Sequence, residues 1–148
     1  MDADEKFEEI YQAYRKYMLE NSKYSPEITK KNLETASSFP TVTFTMSNNT
    51  ETDNCTIDYI EQYEEFYFTI NIYTKDKTLD NKIVASQVIN NELSKLTNEF
   101  LGQKLHMKKT LNSPTPNLDT SILRRTMRYQ CMIGSARGNI IRRWFIYV

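Results

Sequence analysis

Five arginines carry most of the recognisable chemistry in this chain. Arg124, Arg125 and Arg128 fall in the stretch Ile122-Leu-Arg-Arg-Thr-Met-Arg-Tyr129, and Arg142 and Arg143 stand next to Trp144-Phe-Ile-Tyr147. A guanidinium is a permanent charge with a planar fork of donors, matched to carboxylates and phosphates. On a strand, Arg124 and Arg128 share one face and Arg125 takes the other. Three readings stay open. The arginine stems cover a sheet face while their heads pair with acids of the same chain. Alternatively the heads meet acidic groups of neighbouring subunits, with the aromatics as anchors. The third reading is direct contact with DNA, since arginines interleaved with aromatics also suit single strands.

Other chemistry is thin. His106 is the only histidine, set between lysines, and it reads as a surface or partly packed side chain. Cys55 and Cys131 are far apart, so neither a zinc knuckle nor a CxxC redox pair is available. Cys131 reads as a small core residue and Cys55 as a thiol in a polar loop. No nucleophile elbow, metalloprotease helix, phosphate-binding loop or calcium loop occurs. With only three glycines, a glycine-rich phosphate cradle is not expected either. Glu61, Glu64 and Glu65 read as the polar entry to a strand rather than a metal site. The expectation is a non-enzyme with no catalytic residue, cofactor or metal.

Size and charge narrow the class. With 148 residues the chain is one ordinary domain, able to bury a core without disulfides or metals. The formal net charge is zero but is distributed unevenly: residues 1–101 carry 18 acids and 10 bases, residues 102–148 one acid and 9 bases. The two signs can lie side by side on one folded unit, meet between copies, or leave a basic wall facing nucleic acid. The acidic start is unlike a signal peptide. No apolar run approaches the roughly 18–20 residues of a membrane span. The expectation is synthesis in a cytosol and no membrane partner.

The elements that must position these residues follow from periodicity. Phe7, Ile10, Tyr11, Tyr14, Tyr17 and Met18 recur at spacings of three and four, which predicts a helix over 4–21. Tyr14 and Tyr17 become candidate contacts on its half-buried face. Residues 22–38 read as a connector with one weak helical turn near 28–35. Val42, Phe44 and Met46 alternate with threonines in a short strand over 41–46. Residues 47–58 read as a mobile loop. Over 61–74, Phe66, Phe68, Ile70 and Ile72 face one way and Tyr67, Thr69, Asn71 and Tyr73 the other, as in a central strand. The longest helix is predicted over 78–101, capped by Thr78 or Asp80, with a stripe of Ala85, Val88, Ile89, Leu93, Leu96 and Phe100, and closed by Gly102. A strand over 105–111, a rigid turn set by Pro114, Pro116 and Asn117, and a strand over 121–133 complete it. In that last strand Leu123, Met127, Tyr129, Cys131 and Ile133 oppose Arg124, Arg128 and Gln130. Residues 138–148 read as a last strand or an arm ordered by a partner. The fold class is α+β: a mainly antiparallel sheet of four to five strands with two helices, in the order α-β-β-α-β-β, as one domain over 1–148.

Four marks together resemble a known family. They are Phe39-Pro-Thr-Val-Thr-Phe44, the strand Phe68-Thr-Ile-Asn-Ile-Tyr-Thr-Lys75, the long helix ending Phe100-Leu-Gly102, and Pro114-Thr-Pro-Asn-Leu-Asp119 with Ile122-Leu-Arg-Arg125 and Arg128-Tyr129. The chain resembles the tail terminator (tail completion, or minor capsid) proteins of long-tailed bacteriophages and prophages, over about residues 36–133. The resemblance implies a structural protein of the virion tail neck, made in the bacterial host cytoplasm. Such subunits form a homo-hexameric ring at the head-proximal end of the tail tube. That ring ends polymerisation of the major tail tube protein and docks the head connector or stopper. Genomic DNA passes through the lumen without sequence-specific binding. The family supplies no active site to carry over. Its turn matches Pro114, Pro116 and Asn117, and Arg124, Arg128, Arg142, Arg143 and Trp144 are candidate contacts with neighbours. Two alternatives remain: another neck component, such as a head-closure or head-completion protein, and a DNA-binding accessory protein using the arginine strand.

Overall fold

The computed structural model describes residues 3–30, 38–49, 56–57, 61–116, 119–134 and 140–141. Helix α1 (Ala3–Asn21) leads into a three-residue strand β1 (Glu27–Thr29). Strands β2 (Thr41–Asn49), β3 (Thr56–Ile57) and β4 (Glu61–Thr74) follow. A small hairpin, β5 (Lys77–Leu79) and β6 (Lys82–Val84), precedes α2 (Ser86–Thr97), which continues as a π-helix over Asn98–Lys104. Strands β7 (Lys108–Thr115), β8 (Leu123–Gly134) and β9 (Ile140–Ile141) end the described chain. The main sheet runs β1-β2-β4-β8-β7, with β3 on β4 and β9 on β8.

The chain is α+β with two helices packed on one sheet, as the periodicity predicts, but the sheet is mixed. β1 pairs parallel with β2, while the β2–β4, β4–β8 and β7–β8 pairs are antiparallel. Residues 27–29 are therefore strand, where the sequence reads as a connector or weak helical turn. Three residues are too few to show an alternation, and Pro26 beside them marks only the edge. The expected mobile loop over 47–58 also shrinks: Ser47–Asn49 extend β2 against Tyr67, Phe66 and Glu65, and Thr56–Ile57 pair with β4. Residues 50–55 and 58, with Cys55 among them, lie outside the described residues.

Period-two alternation in β4 and β8 builds the core. Phe66, Phe68, Ile70 and Ile72 face the helices with Met127, Tyr129 and Cys131, and all are buried. From α1, Ile10, Tyr11, Tyr14 and Met18 are buried against them, and Phe7 and Tyr17 pack at the margin. Phe7 stacks on Phe44 and Phe68 with ring centroids 5.7 and 6.2 Å apart. From α2 come Ile89, Leu93 and Leu96, then Phe100 and Leu101 of the π-helix. Each such side chain stabilises the fold by roughly 1.5–3 kcal/mol relative to solvent exposure.

The second helix starts later than its stripe implies. Residues 77–84 form a hairpin whose turn residues Asp80 and Asn81 have φ of 51° and 64°, the two-residue turn that matches strand twist. Neither Thr78 nor Asp80 caps α2. Instead Asp76 Oδ1 accepts the Ser86 N–H at 2.8 Å. Ala85 precedes the helix and is exposed, and Val88 faces solvent at 52%. Gly102 lies inside the π-helix rather than closing it. A Cβ there would come within 3.0 Å of Asn98 Oδ1, so glycine serves close packing. The left-handed position after the helix belongs to His106, with φ of 56°. Leu105 and His106 thus belong to the helix end, and β7 runs from Lys108 through Pro114 to Thr115.

Candidate functional site

Row by row, the sheet face opposite the helices is polar. Registers place Thr41, Tyr73, Arg124 and Thr115 in one row and Thr43, Asn71, Thr126 and Ser113 in the next. Thr45, Thr69, Arg128 and Leu111 make the third, and Ser47, Tyr67, Gln130 and Lys108 the fourth. Arg124 and Arg128 therefore share this face, as their spacing predicts. The structure gives them different surroundings.

Arg124 is held from within. Its Nε and one terminal nitrogen donate to Asn71 Oδ1 at 3.2 and 3.1 Å, and its guanidinium lies 5.3 Å from the Tyr73 ring centroid. Asn71 Oδ1 also accepts from the Thr126 hydroxyl at 2.7 Å, and Thr126 and Thr115 hydroxyls lie 2.6 Å apart. Asn71 and Thr126 are buried. Thr43, opposite Asn71, is 1% exposed, and its buried hydroxyl has no hydrogen-bond partner among the described residues. Arg125, on the helix side, also meets amides: Asn90 Oδ1 at 3.0 Å and Asn112 Oδ1 at 2.8 Å. Asn90 in turn donates to the Thr74 hydroxyl at 3.3 Å, so this chain of bonds ties α2 to β4, β8 and β7. Neutral acceptors orient a guanidinium without cancelling its charge.

Arg128 is exposed, as are Lys108 and Lys109 on the neighbouring edge strand. Among the described residues none of the three forms an ion pair. A bulge between Lys109 and Leu111 bends that edge, where the Thr110 hydroxyl donates to the Arg128 carbonyl at 3.3 Å. Glu65, an acid on the same face, accepts from the Tyr67 hydroxyl at 2.9 Å, and that bond with desolvation raises the Tyr67 pKa. Gln130 Nε2 donates to the same phenol at 3.2 Å.

The remaining sequence candidates separate. Tyr14 is 0% exposed, with its ring 4.9 Å from Phe44 and its hydroxyl 2.8 Å from Thr97 Oγ1. It is a core residue, so its ring is not available to a partner. Burial drives its pKa upward. Tyr17 stays half-buried at the margin, donating to Glu99 at 3.0 Å with Lys104 Nζ 4.6 Å from its ring centroid. Desolvation, then the Glu99 bond, raise its pKa. Pro114 does not set the turn. It sits in β7 opposite Arg125, on an edge strand where a missing N–H is tolerated. Pro116 follows the strand directly. The turn before β8 is shaped by Asp119, whose carboxylate accepts from the Ser121 hydroxyl and N–H at 2.6 and 2.9 Å. Those two bonds, hydroxyl first, lower its pKa. An Asp two residues before a Ser is a turn signal present in the sequence. Asn117, Arg142, Arg143 and Trp144 lie outside the described residues, as does the arm over 138–148 apart from Ile140 and Ile141.

Among the described residues, no three His, Cys, Asp or Glu side chains are grouped to hold a metal. Cys131 is buried, and desolvation pushes its thiol up to about 12. No helix among the described residues is long and apolar enough to cross a membrane. No family model and no curated protein sequence matches this chain.

Proposed function

We propose that this chain is a ring-forming structural protein of a phage virion, placed at the head-proximal end of the tail tube. There it ends tube polymerisation and presents the surface that docks the head connector or stopper. The observation that carries this reading is the polar sheet face where it reaches the exposed β7–β8 edge. Arg124 is pre-set by Asn71, Arg128 and Lys108 are exposed on the face that carries Tyr67 and Leu111, and Lys109 is exposed on the same edge strand opposite Tyr129. Orienting hydrogen bonds reduce the entropy lost when a side chain meets a partner. Mixed charge and aromatic character fits a protein contact. The order and spacing of the tail-terminator marks supply the specific role. In this reading the copies form a ring, six by analogy with that family, and DNA passes through it without base readout.

Adding the chain to polymerising tail tube protein tests the proposal. The expected result is shorter, uniform tubes with the chain at one end. An unchanged length distribution rejects tube termination, and binding to the head connector alone would mark another neck component. The exposed Lys108, Lys109 and Arg128 favour one further reading, a DNA-binding accessory protein. It requires a tight DNA complex that weakens steeply with salt.

A further inference from the structure

Helix α2 and the π-helix that continues it meet β8 at regular steps. Asn90 Oδ1 accepts from Arg125 at 3.0 Å, the Ser94 hydroxyl donates to Met127 Sδ at 3.6 Å, and Asn98 Oδ1 accepts from the Tyr129 hydroxyl at 3.0 Å. Four residues along the helix match two along the strand, because each step returns to the same face. The sheet carries one more strand beyond this line, and no described helix covers it. Lys109, Asn112 and Pro114 of β7 stand opposite Tyr129, Met127 and Arg125, so they lie on the helix side, yet all three are exposed. They form a shelf along β7, bounded by Asn90 and Ser94 of α2, with Arg125 at its back.

The shelf has more donors than acceptors. Of the five N–H groups of a guanidinium, Arg125 places one on Asn90 and one on Asn112, which leaves the rest without a partner among the described residues. Both acceptors are neutral amides, so the charge stays uncancelled. Ser94 donates only to a thioether, a weak acceptor. No acid stands on β7 or β8. Glu92 and Glu99, the acids of the helix, turn instead toward α1, where they accept from the Lys23 N–H and the Tyr17 hydroxyl. Neither Arg125 nor Lys109 forms an ion pair among the described residues.

We infer that this shelf binds an acidic polypeptide segment of a partner protein, with one carboxylate of the segment on Arg125. The site lies on the opposite face of the sheet from Arg124 and Arg128, and it goes beyond the neck role without depending on it. Lys109 and Pro114 are five residues apart with a bulge between them, so the shelf is roughly 15 Å long, room for an extended segment of about five residues. Charge-assisted hydrogen bonds from a guanidinium are the strong ones, and Asn90 and Asn112 fix this one before a ligand arrives. The Asn112 amide and the Ser94 hydroxyl can pair with the main chain of the segment, and Lys109 supplies a second cation at the far end. A polypeptide is favoured over a nucleic-acid backbone because Arg125 is half-buried at the back of the shelf. Between it and Lys109, regularly spaced phosphates would meet only Asn112, Ser94 and Pro114.

Fluorescence anisotropy on the full-length chain tests this with a labelled, end-blocked peptide of alternating Asp and Ser. The same peptide with Asn for Asp, and a duplex DNA, serve as comparisons. The wild type is expected to bind the Asp peptide more than about tenfold more tightly than the Asn peptide. Asn112→Asp puts a carboxylate of the chain itself on Arg125 at nearly unchanged size. It is expected to weaken binding of the Asp peptide more than about tenfold, with the fold kept by circular dichroism. Arg128→Gln, on the other face, is expected to leave binding within about twofold, as for an exposed charge away from the contact. Equal binding of the two peptides, or wild-type binding by Asn112→Asp, overturns the inference. An equal loss in Arg128→Gln also overturns it, since that marks attraction to net charge alone. So does duplex DNA binding that Asn112→Asp abolishes while the peptide stays unbound, which assigns the shelf to nucleic acid. Tube termination is read in a separate assay, so the two proposals stand or fall independently.

Discussion

Replacing Asn71 with alanine removes the buried acceptor on which Arg124 and Thr126 converge. Its Oδ1 takes two bonds from Arg124 and one from Thr126, at 3.2, 3.1 and 2.7 Å. Hydrogen bonds to charged groups contribute about 1.5–3 kcal/mol, but Arg124 is only half-buried and its donors regain water. We therefore assign the Arg124 pair about 1 kcal/mol. Thr126 is buried and keeps Thr115 at 2.6 Å, so its loss is also held to about 1 kcal/mol. The sum is about 2 kcal/mol, or a fall in Tm of about 4–8 °C for a domain of this size. Urea titration of the wild type, Asn71→Ala, Arg124→Met and the double variant closes a thermodynamic cycle, with an Asn71–Arg124 coupling of about 1 kcal/mol expected. Additivity to within about 0.3–0.5 kcal/mol would mean that Asn71 does not hold Arg124 in solution.

Other consequences can be measured on the same material. Tyr14→Phe keeps the ring but loses the buried bond to Thr97, which retains Leu93 O at 2.8 Å. A loss of about 1 kcal/mol is expected by urea titration, without a change of assembly state. The Cys131 thiol has a raised pKa in the fold, about 12 against an ordinary 9.0. Its contribution is complete below pH 9 and is lost as pH rises toward 12, since the unfolded chain releases its proton first. Between those values the wild type should lose stability faster than Cys131→Ala, by up to about 1.4 kcal/mol per pH unit. Equal slopes would argue against a buried thiol. His106 occupies a left-handed position that glycine adopts without strain, so His106→Gly should raise the unfolding free energy by roughly 0.5–1 kcal/mol.

The face assignments of α1, β4 and β8 were legible because each has enough residues to show its period. Arg124 and Arg128 could be placed together, and Arg125 apart, from spacing alone. Their partners could not. The acids of the sequence looked like natural counter-charges, whereas Asn71 meets Arg124 only through the β4–β8 register, which sets Asn71 opposite Thr126 and Tyr73 opposite Arg124. The hairpin before α2 was hidden because Leu79, Ile83 and Val84 fit a helical stripe as well as a strand. Asp80-Asn81, adjacent residues that tolerate positive φ, was the signal available. Gly102 and Pro114 have local propensities that point to element ends, yet tertiary packing places one inside a π-helix and the other inside an edge strand. Tyr14 illustrates the same limit: the helical stripe was visible, but its depth depends on Phe44 and Phe100, which come from elsewhere in the chain.

Electron microscopy of tail tube protein, polymerised with and without the purified chain, decides the proposed neck role. Termination by a ring predicts tubes of restricted length bearing a closed ring of this chain at one end. Tubes of unrestricted length with no ring, alongside a monomeric chain at low salt, would contradict it.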